Sequence, residues 1–382
     1  MIDAQLLTSS PVRVVFGSHA LAQLGAVVEA ERVKRAMIVT DPAIRVVGYL
    51  GRAVHHLHEC FIETVVFDQC EANPTTATVA RGLEVARRSP PDLIIGLGGG
   101  SAMDCAKAIN LLLQCGGQMS DYRGDPATAA LDARRPLLPM VLVPTTAGTG
   151  SEAQSFAIIA DATTHMKMPC GDRRSVGGLR PRVAILDPVL TDTVPPRIAA
   201  ATGIDAITHA VETAGCRVRT EVSRRFSIEA WRRLATAFPL VMSDPHDESA
   251  RGDMLLGAHL AGCAIENSML GAAHACANPL TAKYEIAHGV AVGIMLPHVI
   301  RFNARDGDEN PYAALDRSPS RLAATIESLL DAGEIPRRLR DVGVERETLP
   351  TLAEQAAAQW TAGFNPVPVG AAEMLTLYSA AL

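Results

Sequence analysis

The chain is poor in lysine, in aromatic residues and in excess charge of either sign. Four lysines (Lys34, Lys107, Lys167 and Lys283) stand among 35 basic residues, and the net charge is -6. That balance gives no basic stripe for nucleic acid or for an anionic membrane surface. Aromatic residues make up 4% of the chain, which leaves few stacking platforms for a large aromatic ligand. No apolar run reaches roughly 18 residues, the length a membrane helix needs. The start, Met1-Ile2-Asp3-Ala4-Gln5, lacks a basic region followed by an apolar core, so no secretory signal is expected. The eight cysteines are scattered without a Cys-x-x-Cys pair, a pattern of reduced thiols in the cytoplasm rather than of a disulfide framework. No internal repeat is visible.

What the chain does have is length and apolar content. At 382 residues, 48% of them hydrophobic, two domains are the default. Short β-branched runs (12–16, 36–40, 64–67, 92–97, 140–143 and 183–186) alternate with amphipathic stretches such as 20–29 and 75–88. That alternation predicts an α/β domain with a mostly parallel sheet covered by helices. From about Pro195 the β signal fades and segments with a 3.6-residue period follow, at 197–215, 221–237, 248–269, 289–302 and 321–331. The stretch from Ala353 onward is also helical in pattern, broken at Asn365-Pro366-Val367-Pro368. The expected division is an α/β domain over 1–188 and an all-α domain over 189–382. Arg305 to Ser320 reads as loop.

Four residues of the second half read as one divalent-metal site: Asp205, His209, His274 and His288. Asp205 and His209 lie four apart, one turn of a helix, so both side chains share a face. The other two flank Pro279, which is expected to break the chain between them. Three imidazoles and a carboxylate suit Fe²⁺ or Zn²⁺ better than Ca²⁺ or Mg²⁺.

In the first half, Leu93-Ile94-Ile95-Gly96-Leu97-Gly98-Gly99-Gly100-Ser101-Ala102-Met103-Asp104 is an apolar strand running into glycines and then a helix. Glycines admit close backbone approach, and a helix N-terminus presents free N–H groups to phosphate. Ser101 and Asp104 have capping-box spacing, which would fix the helix start. Asp41, ending the run Ile38-Val39-Thr40, stands where a ribose hydroxyl is often held and would repel a 2′-phosphate; a helix-capping role fits it equally well. A second polar loop, Pro144-Thr145-Thr146-Ala147-Gly148-Thr149-Gly150-Ser151-Glu152, also follows an apolar strand and fits the same crevice.

Together with Ala-Ala-Thr-Gly-Ile-Asp-Ala-Ile-Thr-His-Ala at 200–210 and His-Gly-Val-Ala-Val-Gly-Ile-Met-Leu-Pro-His-Val at 288–299, these segments resemble the iron-containing (group III) alcohol dehydrogenase family. The likeness runs over nearly the whole chain. It implies an NAD-binding α/β domain, a helical metal-binding domain, a cleft between them, and a homodimer or larger assembly. By that likeness Gly98, Gly99, Gly100, Ser101 and Asp104 hold the pyrophosphate side of NAD. Thr145, Thr146 and Thr149 lie along the cofactor, and Asp41 faces the adenosine ribose. Asp205, His209, His274 and His288 match the ligands of Fe²⁺, with Zn²⁺ as an alternative ion. Lys167 matches a lysine near the active site. Where many relatives carry a further histidine four residues after the third ligand, this chain has Asn278, which cannot titrate near neutral pH.

The resemblance implies hydride transfer between NAD(H) and a small alcohol or aldehyde. An anionic oxo-acid substrate, turned over by a reductase or by a transhydrogenase that retains its cofactor, is the runner-up, with Asp172-Arg173-Arg174 and Arg180 as its candidate contacts. A lyase that uses NAD transiently, as in the related dehydroquinate-synthase class, and a pure binding protein are the remaining alternatives. His55-His56-x-His58 reads as a helix face rather than a ligand set. His298 reads as a structural hydrogen-bonding residue, and Cys263 and Cys276 as small core residues.

Overall fold

The computed structural model describes residues 10–123, 136–164, 166–171, 178–304 and 310–382. Two compact units result, Met1–Thr146 with Ser151–Thr193, and Ala147–Gly150 with Val194–Leu382. The division falls a little beyond Asp187-Pro188 for a physical reason. Asp187 is fully buried, accepts from the backbone N–H groups of His19 and Leu21, and also caps the short 3-10 turn at Pro188–Thr191. Those bonds tie the end of the last strand back into the first unit.

The first unit runs β1 (Arg13–Phe16), α1 (Leu24–Glu29), β2 (Arg35–Val39), α2 (Pro42–Val46), α3 (Tyr49–Glu59), β3 (Glu63–Phe67), α4 (Thr76–Arg88), β4 (Leu93–Gly98), α5 (Gly100–Cys115), β5 (Met140–Pro144), β6 (Phe156–Ala160), β7 (Lys167–Gly171) and β8 (Val183–Leu186). Six strands pair in the order β1-β8-β5-β4-β2-β3, every pair parallel. Alternate residues serve opposite faces. Met37, Val39, Ile94, Met140 and Leu142 pack with α4 and α5, whereas Ala36, Ile38, Leu93, Ile95, Val141 and Val143 pack with α1 and α3. With both faces covered, the strands read as continuous apolar runs. The strand order reverses between β2 and β4, because β3 lies on one side of β2 while β4, β5 and β8 follow on the other.

The hairpin of β6 and β7 was not legible from strand propensity. β7 carries Lys167, Pro169 and Gly171, poor strand formers, and Pro169 is tolerated in a two-stranded ribbon opposite Ile158. Helix α5 also starts differently from the capping-box expectation. Its N-cap is Gly99, with no side-chain cap, and Ser101 Oγ instead accepts from Asn73 N at 3.2 Å.

In the second unit, regular structure among the described residues is helical: α6 (Pro196–Gly215), α7 (Glu221–Ser243), α8 (Glu248–Glu266), α9 (Ala272–Tyr284), α10 (His288–Asn303), α11 (Pro319–Ala332), α12 (Leu349–Ala357) and α13 (Ala371–Ala381). Pro279 does not break α9, nor does Pro239 end α7. A proline removes one intrahelical bond, and in both helices the buried residues beside it, Leu280 and Phe238 among them, hold the axis by packing. The chain break between the histidines comes instead at Glu285, whose left-handed backbone (φ 55°) ends α9.

Candidate metal centre and dinucleotide cradle

Helix α6 carries Asp205 and His209 one turn apart, and its neighbours bring the other two ligands. His274 lies in the first turn of α9 and His288 is the first residue of α10. From Asp205 Oδ1, the Nε2 atoms of His274, His209 and His288 lie 3.4, 3.5 and 4.0 Å away. A tetrahedral ion with bonds of about 2.1 Å would space its ligand atoms about 3.4 Å apart. The His209 and His274 rings stack with centroids 4.9 Å apart, and His288 is tilted against His274 at 5.4 Å. Asp205, His209 and His274 are buried, and His288 is half-buried.

The polar atoms here show that the cluster fits an ion. Asp205 Oδ1 and His274 Nε2 are buried, face one another, and form no hydrogen bond of acceptable geometry. Buried polar atoms are nearly always well bonded, so two that face one another at 3.4 Å without an acceptable hydrogen bond leave room for a ligand between them. Two imidazoles and the carboxylate converge within 4.8 Å, with the third imidazole beside them, a donor set for a borderline divalent cation.

The electrostatics differ from one member of the cluster to the next. Burial by itself would raise the Asp205 carboxyl, but His209, His274 and His288 around it hold it below the usual carboxylate range. Burial pushes His209 down, towards the neutral form that binds metal. Burial opposes a charge on His274 as well, yet the Glu212 and Asp205 carboxylates raise it to about 9.

The cradle is built inside the first unit. The C-terminal ends of β2 and β4 flank the point where the strand order reverses, the place where open α/β sheets bind their ligands. Asp41 follows β2, and Gly98, Gly99 and Gly100 lead from β4 into α5. Asp41 caps α2, its Oδ1 accepting from Ala43 N and Ile44 N at 2.9 and 3.1 Å. Its Oδ2 lies 3.2 Å from where a Cβ on Gly98 would stand, and Gly98 has φ +149°. A side chain there would be strained and would fill the cradle. Thr145 N donates to Gly98 O at 3.0 Å, and Thr146 Oγ1 lies 3.5 Å from a Cβ built on Gly99. Thr145 and Thr146 thus border the glycines, while Thr149 belongs to the second unit, in the segment Ala147–Gly150.

Asp104 turns its carboxylate into the fold. Its Oδ1 accepts from Ser151 Oγ at 2.6 Å and its Oδ2 from Ile158 N at 2.9 Å. Burial raises its pKa, against the pull of Lys107 and Lys167. Fully buried Lys107 donates to Ser151 O, Ser151 Oγ and Phe156 O at 2.7, 2.8 and 2.7 Å, anchoring the threonine loop to the hairpin. Lys167 opens β7 in the first unit. Asn278 sits one turn after His274 on α9, its Nδ2 donating to Gln359 Oε1 at 3.0 Å.

Sequence reasoning missed Glu212. It lies seven residues after Asp205, the next step of the same helical stripe, and that spacing was the available signal. Its Oε2 stands 2.6 Å from His274 Nδ1. Of the other histidines, His55 and His58 are exposed on α3, with His55 and His56 beside Glu59. Burial and the nearby Arg301 lower the pKa of His298. Cys263 and Cys276 are buried. Asp172-Arg173-Arg174 lie outside the described residues; Arg180 is half-buried.

A parallel sheet with a glycine cradle at its switch point, and a helical unit with an Asp-His-His-His cluster, define a two-unit α/β plus α class. Residues 11–188 match the family model described as iron-containing alcohol dehydrogenase, and residues 199–382 match the C-terminal model of the same family. The chain belongs to the iron-containing alcohol dehydrogenase family. It is 32% identical over 360 residues to alcohol dehydrogenase 4 of Saccharomyces cerevisiae (strain YJM789), covering 92% of both chains. A solved 1,3-propanediol oxidoreductase superposes with TM-score 0.90 at 32% identity, over 98% of each chain. A sulfoacetaldehyde reductase from Bifidobacterium kashiwanohense, solved in complex with NAD+, gives 0.87 at 27% identity over 97% of each. Among the described residues, no helix is long and apolar enough to cross a membrane.

Proposed function

We propose that this protein is a metal-dependent dehydrogenase or reductase that transfers hydride between NAD(H) and a small alcohol or aldehyde. The observation that carries the reading is the buried convergence of Asp205, His209 and His274, whose ligand atoms lie within 4.8 Å of one another. When bound, Fe²⁺ or Zn²⁺ supplies Lewis acidity towards a substrate oxygen, and NAD supplies the hydride acceptor. Asp205, His209, His274 and His288 would hold the ion.

The cradle supports a dinucleotide. Gly98 to Ser101 would offer backbone N–H groups to the pyrophosphate at the start of α5. Asp41, already oriented by its capping bonds, would accept from the ribose hydroxyls and disfavour a 2′-phosphate. Thr145, Thr146 and Thr149 would line the cofactor. Asp104 would act one step removed, holding Ser151 and β6 so that the threonine loop keeps its shape. Lys167 would place a positive charge near the reacting groups. Asn278 would orient a ligand by hydrogen bonding and leave proton movement to water or the ribose hydroxyls.

The test is anaerobic purification, reloading with Fe²⁺ or Zn²⁺, and NADH absorbance against a panel of aldehydes and oxo-acids. NADH consumption with a short neutral aldehyde, lost on chelation and restored by metal, is the expected result. Full activity after chelation would sink the metal role. Consumption with oxo-acids alone would favour the anionic substrate, and tight NAD binding without net NADH change would favour a transhydrogenase or lyase.

A further inference from the structure

Helix α9 begins without a side chain of its own to cap it. Its N-cap is Gly271, and the first-turn N–H groups need partners from elsewhere. Two distant side chains supply them. Ala273 N donates to Glu212 Oε1 at 2.7 Å, and Ala272 N donates to Asn365 Oδ1 at 3.3 Å. Asn365 is itself fixed, its Nδ2 donating to Asn303 Oδ1 and to Val367 O, both at 2.7 Å. A Cβ on Gly271 would stand 3.0 Å from Glu212 Oε1 and 3.1 Å from Asn365 Oδ1, so glycine leaves the room for both caps.

Glu212 therefore has one oxygen committed to the backbone of α9 and the other to His274 Nδ1, at 2.6 Å. The residue is 3% exposed, so bulk solvent does not reach that geometry. With Glu212 Oε2 as the acceptor of that contact, His274 Nδ1 carries the proton. A neutral imidazole with Nδ1–H keeps its lone pair on Nε2, and Nε2 is the atom 3.4 Å from Asp205 Oδ1.

We propose that Glu212 is the positioning residue of the metal centre: it fixes the tautomer and ring orientation of His274 and joins α6 to the helix that carries this ligand. The inference rests on the metal reading above. It predicts a division of labour that a purely structural role lacks. Glu212 sets the donor atom, whereas Asn365 stabilises only the helix start.

Glu212→Gln separates the two functions. The amide oxygen still accepts from Ala273 N, but the amide NH₂ then faces Nδ1 and drives the proton to Nε2. Zinc affinity, measured by competition with a chromogenic chelator, should fall about 10–100-fold. With histidine-selective ¹⁵N labelling, the His274 proton of the zinc-loaded wild type should reside on Nδ1, with zinc on Nε2. Asn365→Ala should lower the melting temperature and leave the tautomer and zinc affinity near wild type. An E212Q protein with wild-type zinc affinity and an unchanged tautomer overturns the proposal. Should E212Q fail to fold, the wild-type spectrum decides alone, because zinc on Nδ1 of His274 also overturns it. A folded wild type that binds no zinc defeats the metal reading itself, an outcome distinct from the other two.

Discussion

Replacing Gly289 by alanine should damage the second unit at the step that places His288. Gly289 is the second residue of α10 and lies against α6. A Cβ there would stand 1.8 Å from Ala201 O, 2.5 Å from Ala201 C and 3.1 Å from Ala201 Cα, all backbone atoms that no rotamer change can move. Restoring ordinary contact would separate the two helices by roughly 1.5 Å. Overpacking usually costs about 1–3 kcal/mol, and a backbone clash belongs at or above the top of that range. For a unit of this size, about 3 kcal/mol lowers the melting temperature by about 6–12 °C. His288 moves with α10, while Asp205 and His209 stay on α6. Metal ligands tolerate about 0.2 Å of error, so zinc affinity should fall together with stability. Scanning calorimetry of wild type and Gly289→Ala, with and without Zn²⁺, measures both. A variant that melts within about 2 °C of wild type and gains the same stabilisation from zinc would refute the helix approach and its link to the site.

Three further perturbations probe other parts of the molecule. Lys107→Met leaves two carbonyls and Asp104 without their buried cation and should destabilise the first unit by about 3–5 kcal/mol in chemical denaturation; a loss under about 1 kcal/mol would contradict the burial and bonding of Lys107. Asp41→Ala removes both capping bonds to α2 at a cost of about 1 kcal/mol and should narrow the preference for NADH over NADPH; an unchanged ratio of kcat/KM for the two cofactors counts against the ribose role. Glu229 is held below its ordinary pKa by bonds to Arg232 and then by the charge of Arg233 beside it. A lowered folded pKa gives stability that is present above the unfolded value, near pH 4.3, and lost as pH falls through the folded one. Glu229→Gln should therefore cost up to about 1 kcal/mol at pH 7 and almost nothing near pH 3, read from melts at both; a pH-independent difference would exclude the ion-pair origin.

The sequence alone determined the class of fold and pointed to four candidate metal donors. Unbroken apolar strands alternating with amphipathic helices imply a parallel sheet, because burial on two faces removes the polar half of the period. Asp205 and His209 were legible as a pair because a four-residue spacing on one helix is a local fact. Local signals also misled. Pro279 read as a break, yet burial of Leu280 beside it keeps α9 continuous. Ser101 and Asp104 had the spacing of a cap, but their side chains found partners at Asn73, Ser151 and Ile158, far along the chain. Tertiary structure decided which strands are neighbours, and so where the order reverses beside Asp41 and Gly98. It also decided that Glu212 meets His274, 62 residues away. Helical spacing places Glu212 on the right stripe, but only the approach of the first turn of α9 shows what that carboxylate touches. A contact between distant residues is set by how whole helices pack, and no local pattern encodes that distance.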